Sequence, residues 1–241
     1  MIYLVYALLL FSPVALWESP PSYLIVWNVG QGAWSTLIQG NNCWHFDAGG
    51  EKFPAAVVPL CRDKNNRLFI SHDDMDHISF ILRIKHWPQV CLFQKPRKIS
   101  SPRKEKIFSG LQPCPPPGSQ DLAVRELQWN VQGKNSNDLS RVYYLSGAKA
   151  LFTGDSSAGE EKLWSEKLNG LPVKWWLLGH HGSRTSSSED LVRHLGHPLA
   201  GIASARYLKY HHPHPLVQAR LKQNHIPLLR TEDWGHLWIQ I

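Results

Sequence analysis

The run Ser71-His72-Asp73-Asp74-Met75-Asp76-His77 sets three carboxylates and two imidazoles within seven residues. Carboxylates this close repel one another, and burying them unpaired is costly. A fold that keeps them together must supply positive charge, and a divalent cation is the compact way to do so. Just upstream, Arg67-Leu68-Phe69-Ile70 is short and mostly apolar, which predicts a strand with the acidic run on the loop at its end. The ordinary alternative is a solvated acidic loop. Three later runs weigh against it: Phe152-Thr153-Gly154-Asp155, then Leu177-Leu178-Gly179-His180-His181-Gly182-Ser183, then His211-His212-Pro213-His214-Pro215. Each brings a strand-like run or a tight turn to a carboxylate or imidazole, and strand ends converging on one point are how layered α/β folds build a site.

With 241 residues, 43% of them hydrophobic, the chain can bury one large core, and disorder is excluded on composition. Residues 1–17 carry no charge and lead through Glu18 into the linker Ser19-Pro20-Pro21-Ser22. Residues 1–22 therefore read as a hydrophobic leader or membrane anchor plus linker. There is no basic start and no small-x-small cleavage site, and the apolar length is at the short end of the roughly 17–25 residues of a span. A buried first strand or helix is the other reading. An exported or anchored chain places the single catalytic domain, residues 23–241, on the extracytoplasmic face of the membrane or in the periplasm. Cys43, Cys61, Cys91 and Cys114 show no C-x-x-C spacing, which argues against a zinc ribbon and leaves one or two disulfides or free thiols open. An excess of 26 Lys and Arg over 19 Asp and Glu gives a net charge of +7 and favours anionic partners, nucleic acid or a lipid surface; a generic basic protein is the other reading.

Turn signals at Asn28-Val29-Gly30-Gln31-Gly32 and Asp47-Ala48-Gly49-Gly50 separate strand-like runs at 23–27, 34–38 and 43–46, an opening antiparallel sheet. Apolar positions 78, 81, 82 and 87 fit a short helix, and 160–168 and 216–223 fit two more. Strands resume at 142–145 and 150–152. Residues 95–118, rich in Pro and Ser and carrying Lys or Arg at 95, 97, 98, 103, 104 and 106, read as a surface loop that either leans on phosphates or is simply solvated. Ser186, three residues before Glu189, fits a capping box, so phosphate contact is better assigned to Ser183, Arg184 and Thr185. His212-Pro213-His214-Pro215 is either functional or a rigid turn before a helix.

Taken in order, Asp47 after an early strand, the H-x-D-x-D-H loop of His72, Asp74, Asp76 and His77, a late Thr153-Gly154-Asp155 and the strand-end His180-His181 resemble the metallo-β-lactamase superfamily. Adding Asn28-Val29-Gly30-Gln31-Gly32, Asp47-Ala48-Gly49-Gly50, Asn135-Ser136-Asn137-Asp138-Leu139-Ser140, Thr185-Ser186-Ser187 and His212-Pro213-His214-Pro215, the chain is similar to the hydrolase domain of the ComEC/Rec2 competence proteins. The resemblance implies an α+β fold, a single-domain four-layer αββα sandwich. It also implies a metal-dependent DNA phosphodiesterase that degrades DNA beside a membrane channel.

By this likeness His72 and Asp74 hold a first metal, Asp76 and His77 a second, Asp155 bridges both, and His180 or His181 completes the second site. Asp47 then orients a ligating imidazole. Two divalent ions of this kind sit about 3.5 to 4 Å apart and direct a hydroxide at phosphorus. The expected catalytic residues are Asp76 and Asp155, with His212 or His214 as proton donor to the leaving oxygen. Asp74, in place of a second histidine, makes the first site richer in oxygen. That moves preference toward manganese or magnesium without excluding zinc. The family carries aspartates where this chain has Asn28 and Ala33. The long multi-span channel region is also missing, so the expectation is a standalone hydrolase assisting a separately encoded channel. A small-molecule ester or lactam hydrolase of the same fold and an inactive, metal-bound DNA-binding module are the alternatives.

Overall fold

The computed structural model describes residues 21–115 and 124–241. The expected leader, apart from its last two residues, lies outside the described residues. Among the described residues no helix is long and apolar enough to cross a membrane.

The first sheet contains β1 (Tyr23–Val26), β2 (Ser35–Gln39), β3 (Asn42–Phe46), β4 (Asn65–Phe69), β5 (Val90–Gln94) and β6 (Gln112–Pro113). The second contains β7 (Val124–Leu127), β8 (Val142–Leu145), β9 (Ala150–Phe152), β10 (Trp175–Leu177), β11 (Ala200–Ala203) and β12 (Leu228–Arg230). The last strand, β13 (Leu237–Gln240), returns to the first sheet, which runs β13-β1-β2-β3-β4-β5-β6 beside a second of order β12-β11-β10-β9-β8-β7. Each sheet is antiparallel where hairpins build it and parallel from β3 to β6 and from β9 to β12. The helices are α1 (Val57–Cys61), α2 (Met75–Ile78), α3 (Ile81–Ile84), α4 (Pro102–Phe108), α5 (Ala158–Trp164), α6 (Glu189–Leu195), α7 (Tyr207–Tyr210), α8 (Pro215–Gln223) and α9 (Thr231–Trp234).

The period-2 alternation of the strands decides the layering. On β3, Trp44 and Phe46 point between the sheets while Cys43 faces the helices. On β1, Leu24 and Val26 point inward and Ile25 outward. The inner core joins Phe46, Phe69, Tyr143 and Phe152, with the Phe46 and Phe152 rings stacked at 3.9 Å. Outside it, α1 to α4 cover the first sheet through Val57, Ile78, Ile81, Ile84 and Ile107. The second sheet is covered by α5, α6 and α8 through Trp164, Leu191, Leu195, Val217 and Leu221. The result is the four-layer αββα sandwich. Both cysteine pairs are closed, Cys43 to Cys61 and Cys91 to Cys114.

Three local expectations are corrected. Residues 95–118 are not all loop, because Ser101 accepts from the Lys104 amide and Pro102 opens α4 at a position where proline is tolerated. The segment after Asp76 breaks into α2 and α3, and the 160–168 helix ends as a 3-10 turn, Ser165–Leu168. The cap of α6 is Ser188, whose side chain accepts from Leu191 N, whereas the Ser186 hydroxyl donates to Gly179 O and Ser183 O.

Candidate metal centre

Five strand ends deliver the polar residues to one edge of the sandwich: Asp47 follows β3, His72 follows β4, Asp155 follows β9, His180 and His181 follow β10, and His212 lies beyond β11. Asp47, His180 and His181 adopt φ near +50°, a region that side-chain-bearing residues seldom occupy and that folds tolerate where geometry must be imposed. Main-chain bonds fix the loop below: Ala33 N donates to Asp76 O at 2.9 Å and Ala48 N to His77 O at 2.7 Å. Gly49 allows this, since a Cβ there would come within 2.5 Å of the His77 backbone.

Asp155 is the hub. Its Oδ1 lies 3.0 Å from His77 Nε2 and 3.9 Å from His181 Nε2, and His181 Nε2 lies 3.2 Å from Asp76 Oδ2. Its Oδ2 lies 3.8 Å from His72 Nε2 and 3.6 Å from His180 Nε2, and His72 Nε2 lies 3.5 Å from Asp74 Oδ2. One carboxylate thus faces two groups of ligand atoms. His181, rather than His180, stands on the Asp76 and His77 side.

The donor set fits divalent cations. His72 Nε2, His77 Nε2 and Asp155 Oδ1 are buried and make no hydrogen bond of good geometry, though His77 Nε2 and Asp155 Oδ1 face each other as an ion pair at 3.0 Å; the point they share suits a cation. Each imidazole is oriented from behind. His77 Nδ1 lies 2.8 Å from Asp47 Oδ2, and Asp47 also accepts from Ser71 N and Ser71 Oγ. His72 Nδ1 contacts Ser71 Oγ at 3.0 Å, and His180 Nδ1 contacts Asn137 and Thr185. The Asp155 amide donates to Ser140 Oγ.

Electrostatics follow from this packing. Burial alone would push the His77 imidazole down, but Asp155 and Asp47 on either side hold it well above 6.5. Burial would raise Asp155, yet the facing histidines 77, 181 and 72 keep it well below the usual carboxylate range. Asp76 is drawn down to about 2 against its burial by His181 and His77. Asp74 is lowered first by its contact with His72, then helped by Ser136 and Lys104.

The remaining expected residues divide. His212 lines the open cleft with Gln31, Glu51, Asp76, His180 and Tyr210. Burial, then His181 and His180, lowers its pKa to about 4, so it is neutral at physiological pH. Its Nδ1 lies 3.4 Å from Gln31 Nε2 on the cleft wall. His214 instead caps α8, its Nδ1 accepting from Leu216 N. Ser183 and Thr185 hydroxyls bond each other at 3.0 Å beside His180, and Arg184 is exposed. Asn28 holds its own turn by accepting from Gly30 N, and Ala33 acts through its main chain.

Sequence reasoning missed the supports. Lys104 Nζ lies 3.2 Å from Asp74 Oδ1 and 3.4 Å from Asp73 Oδ2, and Ser136 Oγ donates to Asp74 Oδ2. Asp73, which has no ligand role in the family pattern, is buried and accepts from Ser100 N and Ser100 Oγ. Glu161, raised to about 7 by burial, receives the amides of Ser187 and Ser188 and so holds the loop behind the histidines. Only the motif 135–140, which carries no assigned roles in the sequence, points toward any of these.

This edge geometry belongs to a metallo-β-lactamase fold. Over 91% of this chain and 100% of the other, the structure is similar to the metallo-β-lactamase fold protein YhfI from Bacillus subtilis, with a TM-score of 0.61 at 10% identity. In sequence, the chain is similar to part of several competence proteins. It is 30% identical to the competence protein ComA of Neisseria gonorrhoeae over 94% of its own length and 33% of the relative's. It is 28% identical to ComE operon protein 3 of Bacillus subtilis over 77% and 26% of the two chains. Against recombination protein 2 of Haemophilus influenzae the identity is 27% over 91% and 28%. The matched part therefore spans between a quarter and a third of these relatives. No family model matches the chain.

Proposed function

We propose that residues 23–241 form a metal-dependent DNA phosphodiesterase. The observation that carries this reading is Asp155, whose two oxygens face two separate sets of imidazole and carboxylate atoms with buried, unpartnered donors among them. His72, Asp74, His180 and Asp155 Oδ2 would hold one divalent ion; Asp76, His77, His181 and Asp155 Oδ1 would hold the other. Bound ions would neutralise a phosphodiester and acidify water at neutral pH. The chain's own residues do the rest. Asp47 fixes the ring of His77 and Ser71 that of His72, Asn137 and Thr185 steady His180, and Arg184 with the Ser183 and Thr185 hydroxyls offers donors to a phosphate. Neutral His212 stands at the cleft wall, where it can share a proton with the reacting oxygens. Two carboxylates beside two imidazoles in each set favour manganese, with zinc and magnesium as further candidates.

DNA is the preferred substrate because the chain carries a charge of +7 and its relatives include proteins named for competence and recombination. The partners in this reading are DNA and a membrane channel that admits it, with residues 1–22 holding the domain on the extracytoplasmic face. The test is cleavage of single- and double-stranded DNA by the purified full chain in manganese, magnesium or zinc. Cleavage of DNA that is lost in Asp155→Ala supports the reading; no cleavage with any of the three metals removes it.

A further inference from the structure

We infer that a basic pocket on the His72 side of the centre is a subsite for a non-scissile backbone phosphate of the bound strand. A small pocket of about 40 Å³ is lined there by His72, Asp73, Arg97, Lys98, Ser100, Lys134, Ser136 and Leu139. It shares His72 with the proposed centre, so a strand whose reacting phosphate lies at Asp155 places a neighbouring phosphate near this pocket. The inference rests on the nucleic-acid reading above.

The charge inventory decides what the pocket takes. Asp73, its one carboxylate, is already satisfied by Ser100 and Lys104. Arg97 is paired with Glu126 at 3.2 Å and lies over the Trp129 ring at 4.4 Å, yet its Nε is buried without a hydrogen-bond partner. Lys98 and Lys134 have no ion-pair partner among the described residues. The exposed ammonium groups have no protein acceptor among the described residues and the Arg97 Nε–H is buried without one, a donor set that a phosphate oxygen completes. The opposite wall of the cleft differs. There Glu51 already binds Arg206 at 3.0 Å and Lys209 at 2.8 Å, so those cations are spoken for.

The test is fluorescence anisotropy of a labelled single-stranded phosphorothioate oligonucleotide, which resists cleavage, with the full chain in manganese over a range of salt. The Lys98→Ala/Lys134→Ala variant is compared with wild type and with a Lys162→Ala/Lys167→Ala control that does not line the pocket. Removing the subsite should weaken binding about tenfold and flatten the dependence of log affinity on log salt by about 0.7 for each phosphate no longer held. Manganese titration should be unchanged, and Lys98→Arg/Lys134→Arg should restore binding. If wild type binds and the pocket variant binds equally well with the same salt slope, or the control weakens as much, the subsite is wrong while the nuclease reading stands. If wild type shows no binding at all, the nucleic-acid reading falls and takes the subsite with it.

Discussion

His45 and His77 are both buried imidazoles beside the same sheet, and both sit in groups of three potential ligands within 4.8 Å of one another: Cys43, His45 and Cys61 in one, His72, His77 and Asp155 in the other. Composition alone would rank them together. In the first group every atom is taken. Trp34 Nε1 donates to His45 Nδ1 at 3.1 Å, Thr36 lies 2.9 Å from the same nitrogen, and His45 Nε2 reaches Asn66 Oδ1 at 2.9 Å. Thr36 accepts from Trp27, so its hydroxyl proton points to His45 and the proton of the ring sits on Nε2. The two cysteines are joined to each other. In the second group the Nε2 atoms are left over and converge on one carboxylate. Burial of a histidine therefore does not mark a site; unsatisfied atoms aimed at a shared point do.

The sharpest way to break this contrast is to remove the hub. Asp155→Ala should reduce DNA cleavage to background and abolish tight manganese binding in calorimetry, while oligonucleotide binding at low salt persists. A variant that still binds two ions would show that the two groups do not depend on Asp155.

Protons distinguish the two clusters next. Burial, only partly offset by Asn66, lowers His45 from 6.5 to about 4. The unfolded chain therefore takes up a proton below 6.5 that the folded chain refuses until about 4. Stability is full above 6.5 and declines as pH falls through that window, by roughly 3 kcal/mol in all. Urea unfolding at pH 7 and pH 4.5 should show the decline in wild type and a smaller one in His45→Gln. The metal cluster has the opposite sense: His77 is held protonated above 6.5, so a bound cation must displace a proton and manganese affinity should rise with pH.

Asp47 ranks third. Its carboxylate receives Ser71 N, Ser71 Oγ and His77 Nδ1, so Asp47→Ala leaves those groups buried and frees the ring to turn. Manganese affinity should fall by about 10- to 100-fold, with Asp47→Asn intermediate, as read by calorimetry. An unchanged affinity would mean that packing alone orients His77.

What the sequence makes legible depends on where each signal lives. The strands at 142–145 and 150–152 and the residues at strand ends are readable because alternation and local turn chemistry are encoded in neighbours. The residues gathered around Asp155 are readable for the same reason, each lying just past a strand. Lys104, Ser136 and Glu161 are not, because their roles depend on contacts between segments about 26 to 62 positions apart. Helix α4 is hidden because its proline and basic residues read as loop composition, although Ser101-Pro102 is a helix start. His214 suggests chemistry in the sequence because its cap function needs the helix in place to be visible.

Lys104 gives the smallest expected effect and the most specific one. Asp74 stands where the resemblance leads one to expect a histidine, adding a negative charge beside His72, and Lys104 answers it at 3.2 Å from Oδ1. Ser136 holds the other oxygen, the one that faces His72. The lysine thus fixes the carboxylate with a single oxygen turned toward the proposed first metal while offsetting its charge. Lys104→Ala should weaken the first of two manganese sites about tenfold and leave the Asp76, His77 and His181 side unchanged. Lys104→Arg should retain most of the affinity. Calorimetry that finds both sites weakened equally would show that Lys104 acts on the whole cleft by charge, and not on Asp74 by contact.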